Sequence, residues 1–206
     1  HGSLSVTVPG AVDGWFALHE RWGRLTMGEV LEQPIRYANE GFPLSPVIAA
    51  GFAANQRRFQ SVAPMIEEQA NANATYFAGG VAPRAGDVFK NPDLGSTLAA
   101  IAKDGRKAFY SGSVAQKMAA YFEEIDADLT LEDLQDHAGE WVEPRGVEYH
   151  GYTLFELPPN GQGFAALMML NILKNVDLRD FDRGSPEIFH YMVEAKRLAF
   201  EAMAGT

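Results

Sequence analysis

The chain has 206 residues, 47% of them hydrophobic and 21% charged, with a formal net charge of −10. That is the composition of a folded globular protein, long enough for one large domain or two small ones, and not of a disordered chain. The negative charge and the lack of any basic stripe exclude a nucleic-acid backbone as partner.

Cysteine is absent, which removes disulfides, thiol nucleophiles and thiolate metal sites but leaves cytoplasm and periplasm equally open. No apolar run approaches the roughly 18 residues of a membrane helix, the longest being Phe164 to Leu170. The chain opens His1-Gly2-Ser3, with neither a basic stretch nor an initiator Met. Those residues are either an added remnant or the interior of a longer protein.

Helical signals dominate the first two thirds. Val12, Trp15, Phe16, His19 and Trp22 share one face of a helix that stops at Gly23. Thr26 with Glu29 forms a capping box for a second helix ending at Gly41, and Pro34 inside it predicts a break or kink. Ser45-Pro46 opens a third helix towards Phe59. From Ala63 to Asp87 the pattern loosens into a long connection, with a short strand expected over Thr75 to Phe77. Asn91-Pro92 starts a helix running to Gly105, and Val114, Met118, Tyr121, Phe122 and Ile125 stripe the next one. Thr130 and Asp133 cap a short helix, Leu131 to His137.

The texture then changes. Trp141 to Tyr149 alternates, His150-Gly151 turns, and Tyr152 to Leu157 reads as a second strand, so the segment predicts a hairpin whose first strand Pro144 confines to an edge or bulge. Phe164 to Leu173 is apolar all round and predicts a helix buried on most sides. Ser185-Pro186-Glu187 caps a last helix striped by Ile188, Tyr191, Met192, Ala195, Leu198 and Ala199. The fold class is α+β, mostly helical with a small antiparallel sheet. Residues 1–206 read as a single partial domain, with 1–137 mainly helical and 138–206 a hairpin plus two packed helices. A two-stranded hairpin is marginal alone, so its partner strands are expected outside the chain.

Chemistry-bearing residues are few. Asn160-Gly161-Gln162-Gly163, stiffened by Pro158-Pro159, enters a buried helix and reads in two ways. It is either a tight strand-to-helix turn or a seat where backbone N–H groups hold a carboxylate or oxyanion. Gly161 is expected to be closely packed, so that Val at that position clashes. Val8 to Trp15 is a second glycine-rich helix entry, but no Lys-Ser/Thr pair follows and the dinucleotide spacing is missing. Asp13 and Trp15 therefore read as structural, and no cofactor is expected. His19 reads as a core residue, His137 as a cation near a helix end, and His150 as a turn residue. No pair of histidines has zinc spacing. Glu67-Glu68, Glu123-Glu124 and Glu132-Asp133 read as solvated faces, and no Gly-x-Ser-x-Gly elbow occurs. No catalytic residue is assigned within the chain.

Seven segments change the outlook when taken together. They are Ser5 to Trp15, Tyr37-Ala-Asn-Glu-Gly-Phe-Pro43, Ala108-Phe-Tyr-Ser-Gly112, Leu129-Thr-Leu-Glu-Asp-Leu134, Tyr149-His-Gly-Tyr152, Leu157-Pro-Pro-Asn-Gly-Gln-Gly163 and Glu194-Ala-Lys-Arg-Leu-Ala-Phe200. In content and order they resemble the large subunit of gamma-glutamyltransferases (glutathione hydrolases), over about Leu4 to Phe200. The resemblance implies an N-terminal-nucleophile hydrolase with an αββα sandwich, whose precursor cuts itself into a large and a small subunit. It implies a Thr at the small subunit's new N-terminus that attacks an amide carbonyl, with its own α-amino group as base. That Thr lies downstream of every matched segment, and Thr206 offers no free α-amino group. The family's Arg that grips the glutamyl carboxylate lies upstream. Where many members carry Pro-Pro-Ser-Ser-Gly-Gly, this chain has Pro-Pro-Asn-Gly-Gln-Gly, which looks like a branch containing amidohydrolases of other small amides. The implied partners are the small subunit of the same precursor and a small amide or gamma-glutamyl substrate, and a homo-oligomer stays open. The competing reading is a helical scaffold without enzymatic role.

Overall fold

The computed structural model describes residues 2–204; His1, Gly205 and Thr206, and with them the reading of Thr206 given above, lie outside the described residues. The chain divides into two compact units, His1–Gly139 and Glu140–Thr206.

The first unit is helical: α1 (Ala11–Trp22), α2 (Met27–Glu40), α3 (Pro46–Val62), α4 (Ala70–Tyr76), α5 (Pro92–Asp104), α6 (Arg106–Tyr110), α7 (Ser113–Glu124) and α8 (Leu131–Asp136). One small antiparallel pair joins β1 (Phe42–Pro43) to β2 (Val88–Phe89). Thr26 caps α2 through the full box with Glu29, satisfying donors the first turn leaves orphaned. The chain turns out of α2 at Gly41, whose φ is +88° and where a side chain would come within 2.5 Å of Val88 Cγ1. That turn brings β1 onto β2, and Asn91 N then donates to Ala38 O at 2.8 Å, so α2 and α5 are tied together at one end. Gly95 has Asn39 pressed against it, allowing the two helices to approach closely. Their apolar stripes meet in a core of Val12, Leu31, Leu98, Ile101 and Tyr110.

The second unit is a hairpin with two helices. β3 (Arg145–Tyr149) pairs with β4 (Tyr152–Glu156) from Arg145↔Glu156 to Tyr149↔Tyr152. His150 (φ 49°) and Gly151 (φ 84°) make the two-residue turn, the positive-φ pair that matches strand twist. β3 begins directly after Pro144. α9 (Gly163–Leu173) packs on both strands and on α10 (Pro186–Ala204). Ala165, Leu167 and Leu173 of α9 and Ala195 and Ala199 of α10 are buried. Among the described residues no third strand pairs with either edge of the hairpin. The fold is α+β, as the sequence predicts.

Several local expectations are corrected. Thr75 to Phe77 is not a strand: Thr75 and Tyr76 belong to α4, where Thr75 Oγ1 donates back to Asn71 O at 2.8 Å. Ala70, Ala72 and Ala74 are strong helix formers, and α4 continues through the β-branched Thr and the aromatic Tyr. Of the break or kink expected at Pro34, the break is absent: α2 runs unbroken from Met27 to Glu40, with Leu31 and Ala38 buried and Ile35 packed on the core on either side of the missing N–H donor. On α1 only Val12 is buried, while Trp15 and Trp22 are exposed and His19 is half-buried, its Nε2 at 2.6 Å from Leu25 O. α9 is less covered than its composition predicts, since only Ala165, Leu167 and Leu173 are buried and Phe164 is 38% exposed.

Candidate functional site

The turn from β4 into α9 places all four candidate residues in one contiguous stretch. Asn160, Gly161 and Gln162 are exposed and Gly163 is half-buried at the first helical position. Gln162 is the N-cap but makes no side-chain capping bond, and no hydrogen bond engages the Asn160 or Gln162 amides among the described residues. Ala165 N donates to Gln162 O at 3.0 Å, which leaves the N–H groups of Gly163 and Phe164 as the first-turn donors at the mouth of the turn. Gly161 has nothing within 4 Å of where a side chain would begin, so the expected clash at that position is corrected. The packed glycine is Gly163. Its missing side chain leaves room for the Glu156 carboxylate, which lies against it, with Glu156 Cδ at 2.8 Å from the would-be Cβ. Glu156 was not singled out in the sequence, where one carboxylate ending a strand carries no signal. Its negative charge beside the helix start opposes a second anion there. Free amides and N–H groups make the turn better suited to a neutral amide.

A second cluster joins α1, α6 and the end of α8. The Asp13 carboxylate, 13% exposed, accepts from Arg106 Nε and, at 2.7 Å, from Gly139 N. Arg106 Nη2 also donates to His137 O, and its guanidinium lies 4.5 Å over the Tyr110 ring. Tyr110 donates to Pro9 O at 2.6 Å and accepts from Asp13 N at 3.0 Å. His137 stacks on Tyr110 at 5.0 Å and 20°. The Arg106 hydrogen bond holds the Asp13 carboxyl below its ordinary value, and burial pushes the Tyr110 phenol up. His137 Nε2 is buried without a partner, 3.9 Å from Asp13 Oδ2, too far for a hydrogen bond. The cluster locks the first helix entry to the helices behind it. Asp13 thus has the structural role its sequence context predicts, while Arg106, the residue that makes the lock, gave no signal.

Of the acidic pairs, Glu67 and Glu68 are tethers. Glu67 accepts from Ser3 N at 3.0 Å and from Ser3 Oγ at 2.8 Å, and Glu68 accepts from Tyr121 Oη at 2.6 Å. That bond lowers the Glu68 carboxyl and raises the Tyr121 phenol. Asp133 closes the capping box of α8 with Thr130. Among the described residues no group of three His, Asp or Glu side chains is placed to hold a metal ion.

The sequence profile of the family described as Gamma-glutamyltranspeptidase matches residues 1–204. The chain belongs to the gamma-glutamyltranspeptidase family. It is 36% identical over 196 residues to the glutathione hydrolase-like YwrD proenzyme of Bacillus subtilis, covering 95% of this chain and 36% of that protein. It is 30% identical to the oxamate amidohydrolase proenzyme of Klebsiella pneumoniae, covering 95% of this chain and 36% of that one. Among solved structures, the cephalosporin acylase of Bacillus halodurans superposes with a TM-score of 0.87 at 36% identity, over 97% of this chain and 37% of that one. The gamma-glutamyltranspeptidase of Helicobacter pylori gives 0.83 at 27% identity, over 93% and 54%. The chain thus spans about a third of the length of these two curated relatives.

Proposed function

We propose that this chain is the large-subunit portion of an amide hydrolase of the gamma-glutamyltranspeptidase family. It forms one flank of an αββα sandwich, as one partial domain, and cleaves gamma-glutamyl or related small amides with a nucleophilic Thr supplied from outside the chain. The Thr hydroxyl adds to the amide carbonyl, its α-amino group takes the proton, the amine leaves, and water or a second amine releases the acyl group. An α-amino group suits that task because its unperturbed pKa is near 8. The observation that carries the reading is the family match along the whole described chain. The open hairpin edges and the exposed Tyr152, Phe155 and Leu157 are consistent with a covering small subunit of the same precursor.

Within the family we favour a small neutral amide over glutathione. The Asn160–Gly163 turn lines the acyl pocket in this reading, presenting unengaged amides and N–H groups next to the Glu156 charge that repels a carboxylate. Full-length protein purified and aged in buffer is expected to split into two chains, with a Thr at the new N-terminus on Edman sequencing. Comparing hydrolysis of gamma-glutamyl-p-nitroanilide with that of a small uncharged amide such as propionamide then decides the substrate. Absence of both self-cleavage and hydrolysis would leave the helical scaffold as the better account.

A further inference from the structure

Helices α3 and α4 flank a half-open cavity of about 530 Å³, none of whose lining residues belongs to the turn or the Asp13 cluster. That volume lies within the roughly 300–1,000 Å³ of small-molecule sites. Its walls are aromatic: Phe52 and Phe59 from α3 face Tyr76 and Phe77 at the end of α4. Phe52 and Tyr76 have ring centroids 6.3 Å apart, as do Phe59 and Phe77. One edge is formed by Gly2 and Ser5, on the segment that Glu67 pins through its two bonds to Ser3. Arg58 is the one charged side chain among the described lining residues, and no carboxylate lines the cavity. No hydrogen bond, ion pair or ring contact engages the Arg58 guanidinium among the described residues.

We propose that this cavity binds a hydrophobic monocarboxylate, its aryl or alkyl body between the aromatic walls and its carboxylate on Arg58. Burial of the apolar body supplies the bulk of the affinity, and the guanidinium fork selects a carboxylate over a neutral group of the same shape. An ammonium ligand is disfavoured by the same charge. Its lining residues all belong to the first unit and none to the Asn160–Gly163 turn, so it stands or falls independently of the amidase reading.

The test is calorimetric titration of the full-length protein with 4-phenylbutyrate and with its uncharged counterpart 4-phenylbutanamide. Wild type is expected to bind the carboxylate at least tenfold more tightly than the amide. Arg58→Gln should erase that preference while leaving amide hydrolysis unchanged, and Ala72→Trp, which fills the cavity, should abolish binding of both. The carboxylate should not compete with the amide substrate in kinetics. The proposal is overturned if wild type binds neither compound, if it binds both equally, if Arg58→Gln keeps the preference, or if the carboxylate inhibits competitively. Because Arg58 is exposed, its substitution tests the site even if Ala72→Trp fails to fold.

Discussion

Asp13 makes the chain's most consequential side-chain contacts, accepting from Arg106 and Gly139 while its backbone N–H is held by Tyr110. Asp13→Asn leaves Arg106 beside a neutral group and should destabilise by about 1–3 kcal/mol at pH 7. The folded carboxyl titrates below its ordinary value of 3.8, so its contribution is present above that value and is lost as pH falls through the lowered one. Urea unfolding at pH 7 and pH 3 should therefore show the gap between wild type and Asp13→Asn narrowing in acid; a constant gap refutes the ion-pair account. His137→Phe keeps the stack on Tyr110 and removes the orphaned Nε2, so it should change stability by less than about 1 kcal/mol, measured in the same way. At the turn, Gly163→Ala must displace Glu156 whereas Gly161→Ala meets nothing. The first should lower the melting temperature slightly, by about 1 kcal/mol or less, because the flexible end of Glu156 can swing away, and the second should leave it unchanged.

At the scale of elements, boundaries with their own chemistry were legible. The boxes at Thr26 and Thr130, Ser45 before Pro46 and Asn91 before Pro92 all cap helices where the sequence places them. Thr26→Ala is expected to cost about 1 kcal/mol, seen as a lower melting temperature. Elements set by distant partners were not legible. Nothing near Phe42 announces that it pairs with Phe89, and α6 exists because Gly105, at φ +73°, restarts the helix immediately after α5 ends. Thr75 and Tyr76 carry β propensity yet sit in α4, since such preferences yield to context. The candidate turn was found from its glycines, but which glycine is packed depended on Glu156, a residue from the neighbouring strand.

For the molecule as a whole, the second unit presents an apolar surface that its own residues do not cover. Leu157 is 67% exposed and Phe155 61%, two residues apart and so on one side of the hairpin, with Tyr152 on the other, and among the described residues no strand pairs with either hairpin edge. In the proposed enzyme that face meets the small subunit. Phe155→Lys in the full-length protein should then weaken the association of the two processed chains, read as dissociation at lower urea in size-exclusion chromatography; unchanged association would place the contact elsewhere. The α1 stripe of Val12, Trp15, Phe16, His19 and Trp22, of which Trp15 and Trp22 are exposed, shows how far a helical pattern reaches at this scale. Helical periodicity gives an apolar face but not which neighbour covers it, and in this chain α1 turns only Val12 fully inward.

The contact between Glu156 and Gly163 also constrains how the two positions can change over time. A side chain at 163 requires the flexible end of Glu156 to swing away, so the order of substitution matters: shortening 156 first opens the easier path to Ala at 163, and the reverse order must first displace the acid. Descendants of this sequence that keep the acid are thereby biased towards glycine.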